Sequence, residues 1–473
     1  MTAAYETLIR NARVVAPEGI AAFDVALSNG KIAAMLPASP PGTQAKVTAG
    51  EVIDAQGLHL LPGVIDIHCH VRAPAFPERG SVESETRAAA AGGITTLFEM
   101  PISKPCCNSA ERVIIRRDHF AERALVDFAL YAAPGDLSSE ALNASANAGA
   151  IAFKIFTTAA PPGRDDEFAG LSLPDEGSQL ATLEALARTG LPVVVHAESE
   201  QLLAYYGAKA AGLDPSLAST HCASRPDICE AVAVAKLLLM NMQAGARLHI
   251  AHVTSALTVD VLRRFKGTSD FTAETCPHYL VRTVEDVQRA GVFGKINPPV
   301  RSRIDQDALW SALADGTIDH VTTDHAAFAY AEKQAHIGKF PTAPPGSPGL
   351  EVMLPAMLDA VSRNKLDLSR MVALLCGNAA KRFNLPGKGV IRVGADADLV
   401  LVDLEGRTHI RPQALFTHAR DISHLYQDAE FKGAIRRTIV RGRTVFQDSK
   451  INEQPGWGRY TVPAGASTER AVA

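Results

Sequence analysis

The sequence predicts a (β/α)₈ barrel of the TIM type, flanked by a small β-sandwich that both chain ends build. Three observations carry this prediction. Apolar, strand-like runs alternate with alanine- and leucine-rich helical stretches through the middle of the chain. Histidine, lysine and aspartate stand at the ends of several of these runs, where parallel barrels place their sites. Short alternating strands with tight turns occupy both ends, and neither end is long enough to close a core easily.

The first 60 residues hold strand candidates at 8–15, 22–27 and 31–35, with turns at Asn29-Gly30 and Gln56-Gly57. The barrel is expected over 61–385. Its strands are 64–70, 95–100, 126–132, 150–156, 193–196, 248–252, 271–276 and 320–324, with helical stretches such as 81–91, 180–188 and 228–242 between them. Residues 386–450 return to short strands, at 399–403 and 438–446, and complete the sandwich. The stretch 451–473 is polar and rich in Gly, Pro and Ala. It is expected to be a loose tail or an arm on a neighbouring subunit. A doubly wound sheet would gather its polar strand ends at one crevice. Here they come from strands one, four, five, six and eight, which favours a closed barrel.

Bulk properties exclude several classes. The chain has 473 residues, 47% hydrophobic and 21% charged, as in ordinary globular proteins. A formal net charge of −4 gives no reason to expect nucleic acid or an anionic membrane as partner. No run of about 18 apolar residues predicts a membrane span, and the N-terminal residues do not read as a signal peptide. Seven cysteines, an odd number, argue against a disulfide framework and for free thiols in the cytoplasm.

The chemistry-bearing residues follow from the strand ends. His68 and His70 are two apart, so on a strand they face the same side and can reach one ion. His196, His252 and Asp324 end three further apolar strands. Five such residues at four strand ends are hard to explain as packing. Lys154 stands between Phe153 and Ile155 in a strand covered on both faces, where an unpaired ammonium is costly. It either meets a carboxylate, reaches out to solvent, or reacts. Beside two metal ions a neutral lysine amine can take up carbon dioxide, and the resulting carbamate is anionic and able to bridge two cations.

The order His-x-His, Lys, His, His, Asp resembles the binuclear amidohydrolase superfamily. Within it the chain is similar to the cyclic amidohydrolases: allantoinases, dihydroorotases, dihydropyrimidinases and hydantoinases. The similarity runs from about Leu8 to Val445. It is carried by Pro62-Gly-Val-Ile-Asp-Ile-His-Cys-His70, Thr86–Thr96, Glu274-Thr-Cys-Pro-His-Tyr-Leu280, Asn297-Pro-Pro-Val-Arg301, Thr323-Asp-His325 and Gly394–Leu399. The resemblance implies hydrolysis of a ring amide C–N bond in a small cyclic ureide by a homo-oligomer, dimer or tetramer. It implies two divalent ions, zinc first among them, with carbamylated Lys154 as bridge. His68, His70, Lys154 and Asp324 would hold one ion, and Lys154, His196 and His252 the other. Asp324 would be the catalytic proton carrier, and Glu198, Glu274 and His325 would orient ligands. Asn297 and the backbone near Gly349 would hold the amide edge of the ring. The different class to weigh is a relative that keeps the barrel, loses ligands and serves as a scaffold. All six ligand positions are present here.

Several segments resemble allantoinases most: Ala223-Ser-Arg-Pro226, Ala246–Ser255, Glu99-Met-Pro101 and Arg437–Phe446. Ala159 stands where hydantoinases and dihydropyrimidinases usually have tyrosine. Arg72 matches the dihydroorotase pattern, in which this arginine grips the substrate carboxylate. The usual asparagine after Met100-Pro101 is missing, however, and Ala73-Pro-Ala-Phe-Pro77 replaces the usual Glu-Pro-Gly. Allantoinase-like activity is the first expectation and dihydroorotase the second.

Overall fold

The computed structural model describes residues 4–38 and 47–465. Its centre is a parallel barrel with strands Val64–His70, Ile94–Glu99, Asp127–Ala132, Ala152–Phe156, Pro192–His196, Arg247–Ile250, Phe271–Thr275 and His320–Val321 in sequential order. The first six are buried along nearly their whole length, as expected of strands with helices outside and side chains within. The eighth strand is split. His320 and Val321 pair with strand seven, and His325 and Ala326 pair with strand one. The sheet therefore returns to its first strand across Thr322–Asp324, and Asp324 sits in the break with φ +43°.

Two apolar layers hold the barrel together. Inside it, Ile65, Ile67, Phe98, Tyr131 and Val194 pack on Phe383 and Leu385, which follow the last barrel helix. Phe98 and Phe383 meet edge to face at 5.1 Å. Outside, alternate strand residues such as Leu97, Phe128, Phe153, Val195 and Leu248 meet Leu183, Leu237 and Leu238 on the helices. This packing presents the C-terminal ends of the strands as a fixed platform.

Both chain ends join in one nine-stranded sheet. His59–Pro62 pairs with Leu399–His409, so the N-terminal strands continue directly into the C-terminal ones. The sandwich expected from the sequence is thus one continuous sheet. Its long first strand, Ala4–Ala16, shifts register between Ile9 and Ala12 and pairs with two different strands on one edge. Ile9, Val14, Val25, Ile32, Leu60, Leu399 and Ile439 form its core.

The expected loose tail is corrected as far as residue 465; residues 466–473 lie outside the described residues. Phe128 N–H donates to Arg459 O (3.0 Å) and Thr461 N–H to Phe128 O (2.7 Å), so the segment adds to strand three. Tyr460 donates its hydroxyl to Gly149 O (2.7 Å), and Trp457 Nε1 donates to Val440 O (3.1 Å). The two aromatic side chains supply the apolar area that a Gly- and Pro-rich composition conceals. All seven cysteines are free. No helix among the described residues is long and apolar enough to cross a membrane.

Candidate metal centre

Strand alternation sends Asp66, His68 and His70 to one side. His68 Nε2 and His70 Nε2 lie 3.2 and 3.3 Å from Asp324 Oδ1. Ligand atoms of these three residues fall within 4.8 Å of one another, so the group is able to hold a metal ion. A second group faces it. His196 Nδ1 is 3.0 Å from His252 Nε2, and the His252 and His68 ring centroids are 5.5 Å apart. Lys154 is fully buried. Its Nζ has no hydrogen-bond partner and stands 5.2 Å from the Phe156 ring, which stacks on His196 at 4.7 Å.

Buried carboxylates fix the imidazoles. Glu274 accepts from His68 Nδ1, and a second histidine, His249, contacts its other oxygen through Nε2 (3.0 Å). Glu198 lies 2.9 Å from His196 Nε2 and accepts two bonds from Arg225 (3.1 and 2.6 Å). Each contact turns the opposite ring nitrogen toward the cluster. Burial opposes the charge on Glu198, but Arg225 and His196 override it and hold its carboxyl below the usual range. Burial pushes His70 down to about 3 and His252 well below its ordinary value, so both stand as neutral imidazoles, the ligating form. Burial also brings the Lys154 ammonium down to about 8.

Asp324 and His252 both have positive φ, +43° and +38°. Such backbone costs about 1 kcal/mol or more and persists only where the surroundings hold it. Around Asp324 the hold comes from Asp66, which accepts from Thr323 N–H (3.0 Å) and Thr323 Oγ1 (2.6 Å). On the other side His325 Nε2 is 3.0 Å from Glu85. Sequence reasoning passed over Asp66, Thr323, Glu85 and His249. Asp66 had a signal: it shares the alternation of His68 and His70 inside an apolar strand. His278 lay in a quoted motif without a role. It is buried beside the cluster with Nε2 unpartnered.

The residues expected to meet substrate divide. Arg72 lies beyond the end of strand one with φ +60°, so strand alternation does not place it. Instead, Glu99 accepts from the N–H groups of Val71 (2.7 Å) and Arg72 (2.8 Å) while paired to Arg116 (2.7 Å). The Arg72 guanidinium is buried 4.7 Å over the Phe328 ring. Nη1 donates to Ala327 O at 3.3 Å, Nε has no partner, and no carboxylate pairs with it among the described residues. Asn297 Oδ1 is likewise buried without a partner. Gly349 is different. Its N–H donates to His325 Nδ1 (3.2 Å) and its carbonyl accepts from Val352 and Met353 N–H (3.0 and 3.1 Å). Both main-chain groups are engaged within the protein. A Cβ there would come within 3.0 Å of Thr323 O, so this glycine permits the close approach behind Asp324.

The donor set fits a divalent cation. Ligand atoms of His68, His70 and Asp324 lie within 4.8 Å of one another, and imidazole with carboxylate suits zinc among other divalent ions.

Comparison with known proteins agrees with this chemistry. The model of the amidohydrolase family matches residues 59–445. An allantoinase of Solibacter usitatus is 35% identical over 457 residues, covering 95% of this chain and 96% of that protein. A dihydroorotase of Methanosarcina mazei is 32% identical over 472 residues, covering 98% of each. Among solved structures, an L-hydantoinase (dihydropyrimidinase) from Arthrobacter aurescens superposes with a TM-score of 0.89 at 31% identity, covering 96% of this chain and 99% of that one. With its barrel, its strand-end histidines and these matches, the chain belongs to the amidohydrolase family.

Proposed function

We propose that the protein is a metal-dependent hydrolase that opens a ring amide C–N bond of a cyclic ureide, with an allantoin-type ring as first substrate. The observation that carries this is the grouping of His68 and His70 on Asp324 and of His196 on His252, together with the buried, unpartnered amine of Lys154. His68, His70, Lys154 and Asp324 would hold one ion, and Lys154, His196 and His252 the other, with Lys154 as a bridging carbamate. When bound, the two divalent ions supply Lewis acidity toward the ring carbonyl and toward a water. Asp324 takes a proton from the attacking water at a carboxylate oxygen. As the C–N bond breaks, it returns that proton to the leaving ring nitrogen. Glu274 and Glu198 keep the imidazoles turned inward, and Asn297 offers its amide to the ring.

One observation favours a second reading, a ring that carries a carboxylate, as dihydroorotate does. Arg72 is a buried guanidinium with one carbonyl partner and, among the described residues, no carboxylate. A substrate carboxylate would satisfy it. A hydrolysis screen against allantoin, dihydroorotate, dihydrouracil and substituted hydantoins separates the readings. Fastest turnover of allantoin is expected. Fastest turnover of dihydroorotate would move the second reading to first place, and no turnover of any ring by metal-loaded protein would favour the scaffold class.

A further inference from the structure

Away from the ligand cluster, Lys333 is sealed inside the protein with a fully buried side chain. It lies on the short helix Tyr330–Gln334, which follows the second half of the split eighth strand. Its Nζ donates to three main-chain oxygens: Val292 O at 3.4 Å, Phe293 O at 3.0 Å and Lys295 O at 3.4 Å. No carboxylate pairs with it among the described residues. An ammonium has three N–H donors and no acceptor, so three carbonyl oxygens match it donor for donor. Burial and the neighbouring Lys295 act against its charge, and the three oxygens act for it. Two of those oxygens belong to the single helical turn Gly291–Gly294, and Val292 O also accepts the N–H of Lys295 (3.2 Å), which caps that turn.

The tie has a direction. Residues 292–295 lead straight into Ile296-Asn297-Pro298. The same segment is stitched again to the loop after strand eight, by Lys295 Nζ on Pro341 O (3.0 Å) and by Gly346 N–H on Lys295 O (2.9 Å). That loop carries Phe328 beneath Arg72. Lys333 thus joins the chain segment that presents Asn297 to the one that seats Arg72.

We propose that Lys333 is a positioning residue for substrate: a built-in monovalent cation that fixes the main chain of 292–295 and so sets where Asn297 presents its amide. This rests on the substrate role proposed for Asn297. The test uses full-length, metal-loaded protein and the ring that wild type turns over fastest. Lys333→Ala removes the equivalent of n-propylammonium. KM is expected to rise about tenfold, the size of one lost binding hydrogen bond, with kcat little changed and metal content unchanged. Added n-propylammonium chloride should restore KM, whereas tetramethylammonium chloride, which has no N–H, should not. Asn297→Ala is run in parallel and should raise KM by itself. If Asn297→Ala raises KM and Lys333→Ala does not, the inference is wrong while the site reading stands. A raised KM that neither cation restores makes Lys333 mere packing and also overturns it. An unchanged KM in Asn297→Ala removes the role of Asn297, and the inference falls with it. Should Lys333→Ala fail to fold, Lys333→Met keeps the stem and loses the ammonium. The same rise is expected there, and an unchanged KM overturns the proposal.

Discussion

Replacing Arg72 with methionine separates the two candidate substrates. Methionine keeps an unbranched apolar stem against Phe328, so most of the packing survives and the guanidinium alone is lost. In the structure that guanidinium is buried, stacks at 4.7 Å on one ring, and spends one N–H on Ala327 O. The remaining donors are available to a ligand. A substrate carboxylate would take a charge-assisted, bidentate pair there. Stranding that carboxylate costs about 2–5 kcal/mol when desolvated, or roughly 30- to 5,000-fold in kcat/KM. A neutral ring offers only a carbonyl, a bond worth about 0.5–1.5 kcal/mol, or roughly 2- to 13-fold. The assay is kcat/KM of wild type and Arg72→Met on allantoin and on dihydroorotate. The allantoin-first account expects the small loss on every ring accepted. A large loss confined to carboxylate-bearing rings, together with preference for those rings in wild type, would refute it.

Three further outcomes are expected. Asp324→Asn keeps the side-chain size and removes the base, so turnover should fall by at least about 10²- to 10⁴-fold; a variant within a few-fold of wild type with metal retained would remove Asp324 from the mechanism. Lys154→Ala should lose activity, and added short carboxylic acids should restore part of it by replacing the carbamate. An unmodified ammonium in the density of a metal-loaded crystal would contradict the bridge. Lys295 is pushed from 10.5 down to about 7, chiefly by burial and then by Arg225. Between those values the unfolded chain holds a proton that the folded chain has lost, so its stabilising contribution is complete above 10.5 and disappears as pH falls through 7. The difference in unfolding free energy between wild type and Lys295→Met should therefore grow from pH 7 upward, by at most about 1.4 kcal/mol per unit. Denaturant midpoints that keep a constant separation across that window would count against it.

The barrel and the strand-end residues of the candidate site were legible because each is a local signal. Apolar runs end in His196 or Asp324 within a few residues, and period-two alternation alone puts His68 beside His70. What stayed hidden was long-range. The break in strand eight follows from the backbone at Asp324 and from Asp66, which is 257 residues away from Thr323 in sequence. Nothing near Lys333 in sequence indicates three carbonyls from residues 292–295. The backbone near Gly349 is expected at the ring only through the family resemblance. Its main-chain bonds with His325, Val352 and Met353 depend on how that loop packs. The tail was misjudged because its composition averages over Trp457 and Tyr460, the two residues that anchor it. For Arg72 the sequence offers only its likeness to the dihydroorotase pattern, and it is Glu99, accepting from two successive N–H groups, that places it.

Elemental analysis of the purified protein, paired with turnover of the preferred ring, tests the central claim most directly. About two divalent ions per chain are expected in active protein. His68→Ala and His252→Ala, each of which deletes one imidazole ligand, should lose metal and activity together. A fully active protein without bound metal would contradict the account.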